Sequence, residues 1–119
     1  MQAARELEHE TWSEYLDAVS KELLKACVSI EIIAPPRAPV VEAEHLALHA
    51  VAYDRGDDVF KVAAVRSDGD VPSMLRHMVD HPARIEVDSD TMLPPMTIAV
   101  EGQNGIRTVI SIARDELPG

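Results

Sequence analysis

Histidine is the residue type in this chain best suited to proton transfer or metal binding, because it titrates near neutral pH. The five histidines are His9, His45, His49, His77 and His81. On one extended strand, His45 and His49 would lie about 13 Å apart, too far to share an ion. His77 and His81 would be neighbours only if their segment were helical. We therefore predict surface or turn histidines, and we predict no metal site.

An acidic cluster follows Tyr53 and is the second candidate for chemistry. Counting from Asp54 as position one, Gly56 is third and Val65 is twelfth, so the spacing does not match a calcium-binding EF-hand loop. Aspartates beside a glycine are typical of a turn in which carboxylates accept local backbone N–H groups, and Gly56 is the expected site of a positive φ. We predict such a turn over residues 54–58.

Residues from separate segments could nevertheless converge in one cleft. The candidates for a binding pocket are Tyr53, Asp54, Asp57, Asp58, His77 and His81. No sequence motif marks a serine or cysteine nucleophile, and no glycine-rich phosphate loop is present. We therefore assign no catalytic residue and no cofactor, and the sequence favours a protein that is not an enzyme.

Composition excludes several classes of protein. The 119 residues include 11 basic and 21 acidic side chains, a net charge of −10. The basic residues are scattered, which disfavours nucleic acid and anionic membranes as partners. The first ten residues lack the apolar stretch of a secretory signal, so we expect a cytoplasmic protein. The single cysteine, Cys27, cannot form an internal disulfide and is expected to be buried.

One segment has helical periodicity, and the rest of the pattern is extended. Residues 11–26 repeat apolar side chains at steps of three and four, and Thr11 with Glu14 matches a capping box. After Cys27 the apolar residues alternate with polar ones, as in half-buried strands. The predicted strands lie near residues 28–32, 40–53, 59–65, 85–87, 96–100 and 106–112. Residues 71–82 are left open between a short helical turn and an extended run.

Two local signals describe how these strands connect. Asn104-Gly105 between alternating runs predicts a β-hairpin. Within residues 40–53, Glu42 and Glu44 would share a face with Leu46 and Leu48, so a β-bulge near Glu44 and His45 is required.

Together these elements predict an α+β fold in one domain, residues 1–119 with an ordered core at about 8–113. The N-terminal helix packs on a strongly curved, mainly antiparallel sheet of about six short strands, and a partly closed barrel is one form of such a sheet.

Two motifs in this order resemble a known family. The first is Tyr53-Asp54 followed by the run from Asp57 to Phe60, and the second is Leu75 to Met78 leading into the run from His81 to Asp88. Over residues 8–113 the chain resembles the bacterial domain-of-unknown-function family numbered fifty-three thirty-five. It departs from the family at residues 34–39 and 92–95. The resemblance implies no assigned reaction and supplies no catalytic residues.

Three hypotheses about function follow. The leading one is a non-enzymatic binding or protein-interaction module that forms a homodimer or binds a protein partner through an unpaired sheet edge. The second is a small enzyme or ligand-binding protein that uses the histidine and aspartate candidates. The third is an Sm-like RNA-binding barrel, which the charge of −10 disfavours.

Overall fold

The computed structural model describes residues 5–66, 73–88 and 97–113, which form one sheet with a helix packed against it. The helix α1 spans Trp12–Glu22 and follows a 3₁₀ turn at His9–Thr11. The strands are β1 (Arg5–Glu6), β2 (Cys27–Ile33), β3 (Val40–Asp54), β4 (Val59–Arg66), β5 (Ser73–Asp80), β6 (Pro82–Val87), β7 (Thr97–Gly102) and β8 (Arg107–Ala113).

The strands are ordered β1-β6-β7-β8-β2-β3-β4-β5, and every neighbouring pair is antiparallel. The predicted α+β class and antiparallel sheet are confirmed. The predicted number of about six strands is wrong, because the described residues form eight. Within the described residues the sheet is also not closed into a barrel, since its end strands β1 and β5 do not pair with each other.

The sheet curls because β3 is bulged where the sequence required it. Pairing with β2 passes from Val28–Leu46 to Ile30–Ala43, which leaves one extra residue on β3. His45 occupies this bulge with a φ of 57°. The curl brings β5 back over β8: His77 Nε2 lies 3.2 Å from Thr108 Oγ1, although three strands separate β5 from β8 in the sheet. The predicted bulge is confirmed.

The helix is shorter than predicted, and its capping box is absent. Thr11 Oγ1 donates a hydrogen bond to Glu8 O (2.7 Å) and does not cap the helix. The predicted C-terminal end at residue 26 is wrong because Lys25 takes a φ of 73° and its N–H bonds to Leu48 O on β3. The helix is held to β3 by Ser20, whose hydroxyl bonds both the N–H and the carbonyl of Val51.

The core lies between α1 and the inner face of the curled sheet. Trp12 and Leu16 from the helix are buried against residues such as Phe60 and Ile30, each at most 2% exposed. Within the segment left open, residues 73–80 are extended and form β5, and Val71 and Pro72 lie outside the described residues. Residues 92–95, where the family resemblance was interrupted, also lie outside them. The predicted Asn-Gly hairpin is confirmed, with Gly105 at a φ of 84° between β7 and β8.

Candidate functional site

Three of the six predicted site residues meet where two turns adjoin. Tyr53 lies at the end of β3, Asp58 ends the turn before β4, and His81 is the single residue between β5 and β6. The His81 N–H donates to Asp58 O at 2.8 Å, which ties the two turns together. Asp58 and His81 both have positive φ, 56° and 49°. The positive φ predicted for Gly56 is therefore found at Asp58 instead.

The Asp58 carboxylate accepts a hydrogen bond at each oxygen. Tyr53 Oη donates to Oδ1 at 2.5 Å, and His81 Nδ1 lies 3.0 Å from Oδ2. An ionised carboxylate only accepts, so Nδ1 of His81 carries the proton, and Nε2, the other ring nitrogen, has no hydrogen-bond partner among the described residues. These bonds, first from the Tyr53 hydroxyl and then from His81, hold the pKa of the Asp58 carboxyl below its usual range.

Tyr53 extends the cluster into the core and to the N-terminal segment. Burial of the phenol, followed by its hydrogen bond to Asp58, raises the pKa of Tyr53 to about 12. His9 Nε2 lies 3.3 Å from Tyr53 Oη, and the His9 ring is 4.3 Å from that of Trp12 between centroids. His9 was not among the residues predicted for the pocket. The Tyr53 hydroxyl already donates its proton to Asp58. In the contact with His9 the Tyr53 oxygen is therefore the acceptor and His9 Nε2 is the donor.

The other two aspartates do not join this cluster. Asp54 Oδ1 accepts the N–H groups of Gly56 (2.9 Å) and Asp57 (3.2 Å), and its second oxygen lies 3.6 Å from Lys61 Nζ. The Asp57 side chain is exposed. The predicted aspartate turn is confirmed, with Asp54 as the residue that organises it.

A groove of about 580 Å³ begins beside His81, adjoins residues 77–80 of β5, and reaches Ile32 on β2 and Glu42 on β3. His77, Val79 and His81 line one wall, the β7–β8 hairpin lines the other with residues that include Gln103 and Ile106, and Thr108 is buried beneath. His77 is therefore in the same groove as His81 but bonds to Thr108, not to a carboxylate. The groove combines a strand edge, apolar patches and two imidazoles.

Within the described residues, neither the thiol nor a metal-binding cluster is part of the candidate site. Cys27 is half-buried, which corrects the expectation that it is fully buried, and its Sγ lies 3.9 Å from His45 Nδ1, away from His81. Across residues 5–66, 73–88 and 97–113, no three His, Cys, Asp or Glu side chains group closely enough to hold a metal ion. No helix in those same ranges is long and apolar enough to cross a membrane.

Comparison with known proteins agrees with the resemblance found in the sequence. An uncharacterised protein from Aquifex aeolicus (strain VF5) is 30% identical over 110 residues, which cover 92% of each chain. No solved structure matches significantly. The profile described as "Family of unknown function (DUF5335)" matches residues 3–118. The chain therefore belongs to this family.

Proposed function

We propose that this protein is a non-enzymatic interaction module that binds an extended protein segment along β5. The observation that carries the proposal is the position of the groove. It adjoins residues 77–80, the C-terminal half of β5, and in the described part of the chain only β4 pairs with β5, so the other edge of this half adjoins the groove.

Strand addition fits this geometry better than enclosure of a small molecule. An edge strand offers unpaired N–H and C=O groups on alternate residues, which supply affinity without a deep cavity. Alternate side chains of an added strand would enter the groove between Val79 and Ile106, where apolar contact is available. The polar groups of Gln103 and Asn104 at the hairpin lie at its rim.

The test uses short random peptides displayed on phage and selected on the immobilised protein. A selected peptide is then titrated into isotope-labelled protein while amide exchange is followed by NMR. We expect slowed exchange at alternate amides of β5. Binding that protects α1 or β8 instead of β5 would contradict the proposal.

A matched pair of variants separates the groove from general stability. Val79→Lys points a charge into the groove and should abolish peptide binding, since inward charges are a device that blocks strand edges. Val109→Lys changes a valine that is likewise half-buried but lies on β8, outside the groove, and should leave binding unchanged. Thermal melts of both variants check that each is folded.

A second candidate function is binding of a small ligand through His81. It is favoured by the bond from His81 Nδ1 to Asp58, because this bond orients the ring and leaves Nε2 beside the groove without a partner in the described part of the chain. A fragment library screened by thermal shift should yield ligands whose effect is lost in His81→Asn, a change that tolerates positive φ. Ligands that stabilise both proteins equally would contradict this candidate.

A further inference from the structure

The outer face of β5 has a self-complementary pattern, with a basic and an acidic side chain on either side of an apolar one. Alternation along the strand turns Leu75, His77 and Val79 inward, and turns Met74, Arg76, Met78 and Asp80 outward. Met78 is 60% exposed and lies midway between Arg76 and Asp80. Among the described residues, neither of these two charges has an ion-pair partner.

Antiparallel pairing of a strand with its own copy places one residue on the two-fold axis, opposite itself. Residues at equal distances on either side of the axis then face each other across the two strands. With Met78 on the axis, Arg76 of each copy lies opposite Asp80 of the other, so the contact contains two opposite-charge pairs around an apolar centre.

Neighbouring registers lack this complementarity. An axis at His77 sets Met74 against Asp80 and Arg76 against Met78. An axis at Arg76 sets two guanidinium groups against each other, and like charges directly opposite are destabilising in a sheet. The charge pattern therefore selects the register centred on Met78.

We infer that the partner strand bound along β5 is β5 of a second copy, paired antiparallel about a two-fold axis at Met78. This inference rests on the proposed function, since it names the occupant of that edge. The same register brings Val79 of the second copy opposite His77 on the inner face, so each copy contributes a side chain to the groove of the other. The net charge of −10 opposes association, and the two local ion pairs offset it.

Charge exchange provides the test, with the dimer dissociation constant measured by analytical ultracentrifugation over a dilution series. Arg76→Asp or Asp80→Arg alone places like charges opposite each other twice, and each should weaken the dimer at least tenfold. The double variant Arg76→Asp/Asp80→Arg restores both pairs and should recover an affinity within about threefold of the wild type. A double variant as weak as the single ones would overturn the inference.

Oxidative cross-linking tests the register by a separate measurement. Residues opposite each other in an antiparallel pair have Cα atoms within the range that a disulfide spans. In a Cys27→Ser background treated with copper phenanthroline, Met78→Cys should form a covalent dimer readily. Met74→Cys should not, because two such residues lie far from each other about this axis. Preferential cross-linking through position 74, 76 or 77 would overturn the register.

These results also distinguish the proposed dimer from the proposed function, which is the binding of an extended segment along β5. A protein that stays monomeric at every concentration, yet still binds selected peptides along β5, would overturn only the second copy as occupant. Failure of both dimer formation and peptide binding would overturn the proposed function as well.

Discussion

The two ends of this sheet, β1 and β5, differ in how far the rest of the described chain covers them. At one end, β1 has only two residues, and the chain continues into Leu7, which is 4% exposed and donates its N–H to Ile85 O. Trp12 Nε1 then bonds Leu7 O, which fastens this end to the helix. At the other end, β5 has eight residues and exposes Met78. The protein covers one edge with its own N-terminal segment, and the described residues leave the longer edge open.

The largest expected loss of stability comes from a substitution at the covered end, where Trp12 fastens the N-terminal segment to the helix. Trp12→Ala removes a buried ring that packs edge-on to Tyr53, with centroids 5.0 Å apart, and also removes the donor to Leu7 O. We expect a loss of about 3–5 kcal/mol in the free energy of unfolding, measured with urea. Met78→Ala at the open end should change the stability of the monomer by less than about 0.5 kcal/mol.

Equal losses from these two substitutions would contradict the distinction between a structural end and a binding end. The comparison must be made at a protein concentration below the dissociation constant of the proposed dimer, because association would add stability to the wild type.

A second prediction concerns the bulge that brings the open end over β8. His45 has a φ of 57°, a region that β-branched residues avoid. His45→Val should therefore cost about 1–2 kcal/mol in unfolding free energy. His45→Gly is the control and should cost less than this, since glycine adopts positive φ freely. A valine variant as stable as the glycine variant would show that the bulge is not under this constraint.

The curl of the sheet was predictable, but the position of its open edge was not. Glu42 and Glu44 shared parity with Leu46 and Leu48, and only a bulge could keep the carboxylates out of the core. In β5, by contrast, Met78 on the outer face and Val79 on the inner face are both apolar. The apolar–polar alternation that would identify a half-buried strand is therefore interrupted. The strand β1 is too short for any periodicity to mark it.

The sequence identified most of the residues in the candidate site, but it did not indicate which of them contact each other in the fold. The histidines and the acidic cluster after Tyr53 were the side chains best suited to chemistry, and that placed Tyr53, Asp58 and His81 among the candidates. His9 is also a histidine, but nothing in the sequence places it beside Tyr53, because their contact spans 44 positions and depends on how α1 lies across β3. The capping box failed because Thr11 belongs to the preceding 3₁₀ turn and has near-helical torsion angles (φ −97°, ψ −4°), whereas an N-cap residue is extended.

The smallest expected effect concerns the cluster that links the two ends, from His9 through Tyr53 and Asp58 to His81. Because the pKa of Asp58 is lowered in the folded protein, its carboxylate stabilises the fold at pH values above the unfolded pKa of about 3.9. This stabilisation is lost as the pH falls through the lower, folded pKa. The side chain is 40% exposed, so solvent screening keeps the effect modest.

Asp58→Asn, which tolerates the positive φ, should therefore be less stable than the wild type by a constant amount from pH 8 down to about pH 4, and the difference should narrow in more acidic solution. Urea denaturation at a series of pH values measures it. Asp57→Asn is the matched control, because the exposed Asp57 side chain lies outside the cluster, and it should show no such narrowing. A difference for Asp58→Asn that does not narrow at any pH below 4 would mean that the carboxylate charge of Asp58 does not hold Tyr53 and His81 together.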